Sequence, residues 1–280
     1  PEELVIDAAT LEVLISGGHY VNVHTPANPS GELRGQIITE DYILATFALQ
    51  SSQEVPAVIS TASGDGYALI NTKTFGVEMK LLTDGVMNAT RAHIHSGRIG
   101  TNGDILVALE QASEDPNIWV APTDFAIDAD VLAVLGAGGH YVNVHTPANP
   151  SGELRGQILT NNYEVFAFPL DGGQEVPAVT TNASGRGYAL VNKNNFGLEL
   201  VVITQGVDDA TMANIHTGDA GSNGPILEGL EQSVDSVNIW LSPANFTVDA
   251  DVYSLLLSGG HYVNVHTPAN PSGELRGQIQ

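Results

Sequence analysis

Residues Gly17–Ile37 read GGHYVNVHTPANPSGELRGQI, and the same 21 residues return unchanged at Gly138–Ile158 and Gly259–Ile279, a period of 121 residues both times. A period that long exceeds a solenoid unit and matches the usual size of a domain that folds by itself. The chain is therefore an array of like domains, and function has to be read one domain at a time. Within the stretch the strand His140–His145 alternates: Val142 and Val144 point to one side, Tyr141, Asn143 and His145 to the other. The prolines, Asn and Gly between Thr146 and Gly152 break strand pairing and make a turn. Alternation resumes with Leu154, Gly156 and Ile158 inward and Glu153, Arg155 and Gln157 outward. The product is a hairpin with one apolar face and one polar, outer face.

Between the copies, strand-like segments are short and frequent. In the first complete repeat they fall at Tyr42–Leu49, Gly66–Asn71, Gly76–Thr83, Ala89–His95, Ile105–Leu109, Asn117–Val120, His140–His145 and Glu153–Ile158. One helix is expected over Ala129–Leu135, N-capped by Asp128 and stopped at Gly138, with Asp7 and Asp249 starting its counterparts. Seven or eight strands punctuated by Gly, Asn, Asp and Pro predict an all-β chain. The expected architecture is tandem antiparallel Greek-key β-sandwich or barrel domains, each with one short helix. Pro1 aligns with Pro122 and Pro243, so residues 1–41 are expected to be the C-terminal part of a first repeat, followed by complete domains at 42–162 and 163–280. Only Ile38–Asp41 and Leu159–Asn162 intervene, so neighbouring domains should be closely coupled. A window on a longer tandem run fits this layout; the other expectation is that residues 1–41 complete a domain of a neighbouring subunit by strand addition. The segment QEVPAV at Gln53–Val58 recurs at Gln174–Val179, and its proline marks an edge or loop element at a domain end.

Composition narrows the function. Thirty-two acidic residues against nine basic ones give a formal charge of −23, which repels phosphate backbones and excludes nucleic-acid binding. Such a surface favours solubility and counter-cations. There is no cysteine, so disulfides, thiolate metal sites and thiol catalysis are unavailable. No apolar run is long enough for a transmembrane helix, and no signal segment opens the chain. A serine nucleophile elbow, phosphate loop, dinucleotide fingerprint and His-Glu-x-x-His helix are all missing, so the chain is not expected to be an enzyme. Asn88, Asn182 and Asn245 begin glycosylation sequons.

The histidines supply the candidate chemistry. In Ala92-His93-Ile94-His95 the two imidazoles fall on one strand face with Ile94 opposite, a geometry that offers two nitrogens to one ion. His145 ends another strand on its polar face. Three imidazoles from two strands, His93, His95 and His145, suit copper ahead of zinc, with a fourth position open. The competing expectation is structural: His145 bonds its own Thr-Pro loop, and the His-Ile-His pair decorates the surface. In the last repeat the pair becomes Asn214-Ile215-His216, leaving His216 and His266 as the candidate ligands, and the opening tail offers His24. His140 should project away from His145 and serve a structural role. Glu153 and Arg155 are expected to pair, or Arg155 to hold carbonyls of the Thr-Pro loop. Asp65, Asp84, Asp104, Asp128 and Asp130 crowd loops where calcium is a weaker option; turns and caps are their default role.

Ala-His-Ile-His-x-Gly at 92–97, the Asn102-Gly103 that follows, and Tyr-Val-Asn-Val-His-Thr with Gly-Glu-Leu-Arg-Gly-Gln across 141–157 resemble the CHRD (chordin) domain family. The resemblance covers both complete repeats and the opening tail, with Asn214 departing from the motif. It implies an extracellular β-domain, commonly in tandem, without established enzymatic activity. In chordin the domains belong to a secreted growth-factor antagonist, alongside cysteine-rich modules that are absent here. A more distant likeness is to Cu,Zn superoxide dismutase, whose copper ligands include a His-x-His pair on one strand and a His ending a Val-rich strand. That likeness maps to His93, His95 and His145 alone. The resulting expectation is an extracellular or cell-surface structural repeat protein, part of a filament, sheath or adhesive stalk assembled from copies of itself. The alternative is a copper- or zinc-binding module using the three-His surface site, with a dismutase-like redox enzyme more remote.

Overall fold

A computed structural model describes residues 5–280. In the tail, Asp7 accepts from the Thr10 N–H and starts α1 (Ala8–Ile15), which leads into the hairpin β1 (His19–Val23) and β2 (Leu33–Ile37). The first barrel comprises β3 (Tyr42–Gln50), β4 (Ser63–Asn71), β5 (Val77–Asp84), β6 (Arg91–Ser96), β7 (Ile105–Ala108), β8 (Glu110–Gln111), β9 (Ile118–Val120), α2 (Ala129–Gly136), β10 (His140–His145), β11 (Leu154–Gln157) and β12 (Leu159–Thr160). The second comprises β13 (Tyr163–Asp171), β14 (Ser184–Asn192), β15 (Leu198–Gln205), β16 (Met212–Thr217), β17 (Ile226–Gln232), β18 (Ile239–Leu241), α3 (Ala250–Leu257), β19 (His261–His266) and β20 (Leu275–Gln278).

The second barrel closes in the order β13-β14-β15-β18-β17-β16-β19-β20, with Asp171 opposite Arg276 at the seam. The jumps from β15 to β16 and from β18 to β19 give it the Greek-key connections expected of an antiparallel barrel. The first barrel has the same order, except that Leu109 divides into β7 and β8 the strand that is continuous as β17.

Alternation decides what fills each interior. β3 buries Ala45, Phe47 and Leu49 and exposes the residues between them, and β5 alternates throughout. Val142 and Val144 of β10 enter the core with Leu154 and Ile158, all at 0% exposure. Burying one such side chain stabilises the barrel by roughly 1.5–3 kcal/mol. α2 begins where Asp128 accepts from the Val131 N–H at 2.8 Å. It ends as expected: Gly138 takes φ +72°, and the N–H groups of Gly138 and Gly139 donate to Leu135 and Val134 carbonyls. In the tail the matching hairpin face is open, with Val21 and Val23 55% and 48% exposed.

The two barrels meet along a separate apolar cluster. Val55 and Ile99 of the first pack against Tyr188, Leu190, Val201, Ile203 and Ile239 of the second. Tyr188 Oη lies 2.5 Å from Ser52 Oγ and donates to Gln50 Oε1 at 3.1 Å, while Arg98 Nη2 donates to the Ser242 carbonyl at 3.4 Å. No helix among the described residues is long and apolar enough to cross a membrane.

Candidate metal centre

β6 and β10 are antiparallel neighbours with Asn143 opposite His93, Tyr141 opposite His95 and His145 opposite Arg91. Ile94, Val142 and Val144 face the core, so the polar side chains of both strands converge on the other face. There His93, His95 and His145 each present a nitrogen within 4.8 Å of the other two. His145 Nδ1 lies 3.0 Å from the Pro150 carbonyl and His95 Nδ1 3.0 Å from the Gly103 carbonyl. A carbonyl only accepts, so both rings hold their proton on Nδ1 and turn a bare Nε2 toward the pocket. His145 Nε2 accepts from His93 Nδ1 at 3.1 Å, whereas His95 Nε2 is buried with no partner. Leaving such an acceptor unsatisfied costs about 1–3 kcal/mol.

Burial pushes the His145 pKa down to about 4, with His93, His95 and Arg91 adding to the fall. Burial also lowers His93 and His95. All three rings are thus neutral at pH 7, the form in which imidazole binds a metal. Tetrahedral coordination at about 2.0–2.1 Å places ligand nitrogens about 3.3 Å apart. The His93 Nδ1–His145 Nε2 separation of 3.1 Å is close to that, and once the His93 proton moves to its Nε2 both nitrogens offer a lone pair, so the residues present fit a copper or zinc ion.

The site is not on the outer surface. His93, His95 and His145 are 7%, 9% and 7% exposed, and every residue of β10 is buried. The polar face was expected to be the outside wall; instead two loops fold over it. One is Gln53–Val58, where Glu54 Oε2 accepts from Asn143 Nδ2 at 3.2 Å. The other is Gly97–Gly103, tied down by Gln157 Nε2 to the Gly97 carbonyl at 2.8 Å and by the Gly103 N–H to Tyr141 Oη at 3.2 Å. Asn102 Nδ2 joins the loops by donating to the Val55 carbonyl at 2.8 Å. Gly103 has no room for a Cβ against the Ser96 carbonyl, which accounts for the Asn102-Gly103 pair.

Arg155 also departs from expectation. It pairs with neither Glu153 nor the Thr-Pro loop: Nη2 donates to the Arg98 carbonyl at 2.9 Å. Glu153 is taken by Thr146, Ser60 and Asn149 at 2.7, 2.7 and 3.2 Å. The Arg155 guanidinium lies 3.6 Å over the Tyr141 ring, which stacks on His95 at 5.0 Å and 10°. This column of Arg155, Tyr141 and His95 fixes the plane of the imidazole. Burial pulls Arg155 down to about 10 and pushes Glu54 up to about 7, against the opposing charge of Arg155. Glu54 and Tyr141 are the residues that sequence reasoning missed as parts of the site; the recurrence of QEVPAV was the available signal.

The second barrel repeats the frame with fewer ligands. His216 Nδ1 and His266 Nδ1 face the Gly224 and Pro271 carbonyls at 3.0 and 3.1 Å, and Tyr262 stacks on His216 under Arg276. Asn214 Nδ2 lies 3.2 Å from His266 Nε2, and His216 Nε2 is buried without a partner. His24 bonds the Pro29 carbonyl at 3.0 Å but has no His-x-His pair beside it among the described residues. His140, 1% exposed, shares the inner face with Val142 and Val144. Asp65, Asp84, Asp104, Asp128 and Asp130 form no ligand cluster among the described residues.

The model of the CHRD domain matches residues 2–37, 45–158 and 166–279. Chordin of Xenopus laevis is 27% identical over 199 residues, which is 64% of this chain and 20% of that protein, so the chain spans a fifth of that relative's length. No solved structure matches, and the dismutase likeness rests on the pattern of His93, His95 and His145 alone. With three successive matches that take in nearly every residue, the chain belongs to the CHRD domain family.

Proposed function

We propose that this chain is an extracellular repeat module whose first complete barrel holds one divalent cation, copper ahead of zinc, through His93, His95 and His145. The observation that carries this reading is the bare, buried Nε2 of His95 beside two further imidazoles, with the Nδ1 protons of His95 and His145 fixed by backbone carbonyls. Other histidines also bury an unpartnered nitrogen, His140 and His261 among them, but only at His95 do two further imidazoles converge on it. When bound, the ion is a Lewis acid with one position left for water or an outside ligand. The chain's own groups do the rest: Gly103 and Pro150 carbonyls orient two rings, and Tyr141 with Arg155 braces His95. Copper leads on the general order of affinities for nitrogen ligands. Metal analysis and calorimetric titration with Cu(II) and Zn(II) test the reading. One ion per chain is expected, lost in the variant His95→Ala with His145→Ala; unchanged retention there overturns it.

A structural role for the array is supported by the packed contact between barrels, where Val55 and Ile99 join the outer face of the next repeat. Repeats joined this way suit a filament, sheath or stalk built from copies of the chain. Electron microscopy of native material is the test, and a field of dispersed monomers only would dispose of it.

A further inference from the structure

The two barrels share a 121-residue register, so every difference between their pockets can be read pairwise. Around the first pocket stand Arg91, His93 and Asp104; the second has Met212, Asn214 and Pro225 in those places. Arg91 is opposite His145, and Met212 is opposite His266 in the same antiparallel register. Ala213 and Ile215 are in the core, so Met212, Asn214 and His216 share the pocket face of β16. Directly opposed residues hold their Cβ atoms about 4.5–5.5 Å apart, within the span of a methionine side chain. Met212 is 43% exposed and opens β16 in register with His266. The chain has only 3 methionines; Met79 is in a core and Met87 is 76% exposed.

These exchanges change the chemistry in one direction. The first pocket offers three imidazole nitrogens, with a fixed cation and a carboxylate near them. The second has lost the third imidazole, the cation and the carboxylate, and has gained a thioether. Asn214 cannot replace His93 as a ligand nitrogen: its amide nitrogen has no lone pair to give. His216 Nε2, on a side chain 9% exposed, is left as a buried acceptor with no partner. Two imidazoles and a thioether make a low-coordinate, soft donor set, which favours monovalent copper over zinc or divalent copper.

We infer that the second barrel binds one Cu(I) ion through His216 Nε2, His266 Nε2 and the thioether of Met212. The inference rests on the metal reading above for its pocket frame, while using none of the first barrel's ligands. Binding exchanges the hydrogen bond from Asn214 to His266 Nε2 for a metal–nitrogen bond. It involves no change of oxidation state.

The test uses the full chain with His95→Ala and His145→Ala, which removes the first site. Anaerobic titration with Cu(I) against a colorimetric Cu(I) chelator should show one ion per chain, and the same protein should take up no Zn(II). Adding Met212→Leu should weaken Cu(I) binding on the order of 10- to 100-fold with the circular dichroism unchanged, whereas Met87→Leu should do nothing. X-ray absorption at the copper edge should show a sulfur neighbour that Met212→Leu removes. No Cu(I) uptake in this background, or uptake indifferent to Met212→Leu, overturns the inference. Failure of the first site gives another pattern: no divalent ion in the unmodified chain, with Cu(I) uptake intact.

Discussion

Asn214 donates its amide to His266 Nε2 across 3.2 Å, in the place where His93 meets His145 Nε2 at 3.1 Å. The two pockets are therefore hydrogen-bonded alike and equipped differently. An amide N–H can stand in for an imidazole N–H as a donor, but it cannot become a ligand when a metal arrives.

Restoring the ring should restore the site. Gly229 lies opposite Asn214 where the first barrel has Ala108 opposite His93, so the second pocket has at least as much room for an imidazole. Asn214→His is expected to raise the divalent capacity of the chain from one ion to two, measured by zinc calorimetry. The converse, His93→Asn, should abolish the first-barrel signal. A second zinc equivalent that fails to appear in folded Asn214→His protein would show that ring count is not what separates the barrels.

Proton competition at the first site should start late. Three ordinary imidazoles would lose zinc affinity by about 50-fold between pH 7.5 and 6, because each would be mostly protonated at the lower pH. Burial depresses all three here, His145 to about 4. With His145 out of the competition and the other two lowered, affinity should therefore change by less than about 15-fold over that interval. Competition with a zinc chelator at both pH values decides between the two figures.

How far the sequence revealed this site can be followed through particular residues. Period-two alternation correctly assigned Val142 and Val144 inward and put His93, His95 and His145 on one face, since that is a local property of an extended backbone. It could not tell that the face is covered. The cover comes from contacts between residues far apart in the chain: Glu54 with Asn143 at a separation of 89 residues, Arg155 with the Arg98 carbonyl at 57. Arg155 and Glu153 sit two apart within the expected strand Glu153–Ile158, which is why the sequence suggests a pair. The guanidinium instead found a carbonyl in a loop whose path no local pattern encodes.

The same cover carries a pH dependence. Glu54 is 3% exposed, and burial raises its carboxyl from the usual 4.5 to about 7. Its Oε1 and the Asn143 Oδ1 are both acceptors without a donor, crowded against Gly152, so a proton on Glu54 supplies what is missing. A raised folded-state value means the contribution is complete below about pH 4.5 and is lost as pH rises through about 7. The shift corresponds to on the order of 3 kcal/mol. Glu54→Gln stays neutral throughout, so its stability relative to the unmodified chain should improve progressively from pH 4.5 to 7.5. Urea denaturation at the two ends of that range measures the difference; a constant difference would remove the proton from the account.

The contact between barrels can be tested by a matched pair of glycines. Gly100 has φ +76°, and a Cβ there would lie 2.7 Å from Val201 Cγ2 and from Leu241 Cδ2 in the second barrel. Its counterpart Gly221 has φ +77° with nothing within 4 Å. Valine at either position brings the same local strain, because a β-branched residue is disfavoured at positive φ. Only at Gly100 does it also force the barrels apart. Differential scanning calorimetry should give one cooperative transition for the unmodified chain and for Gly221→Val, the latter at a lower temperature. Gly100→Val should split it into two, one for each barrel, since the Val55 and Ile99 contacts that couple them are lost. If Gly100→Val and Gly221→Val melt alike, the barrels are joined only by their linker, and the packed interface does not couple them.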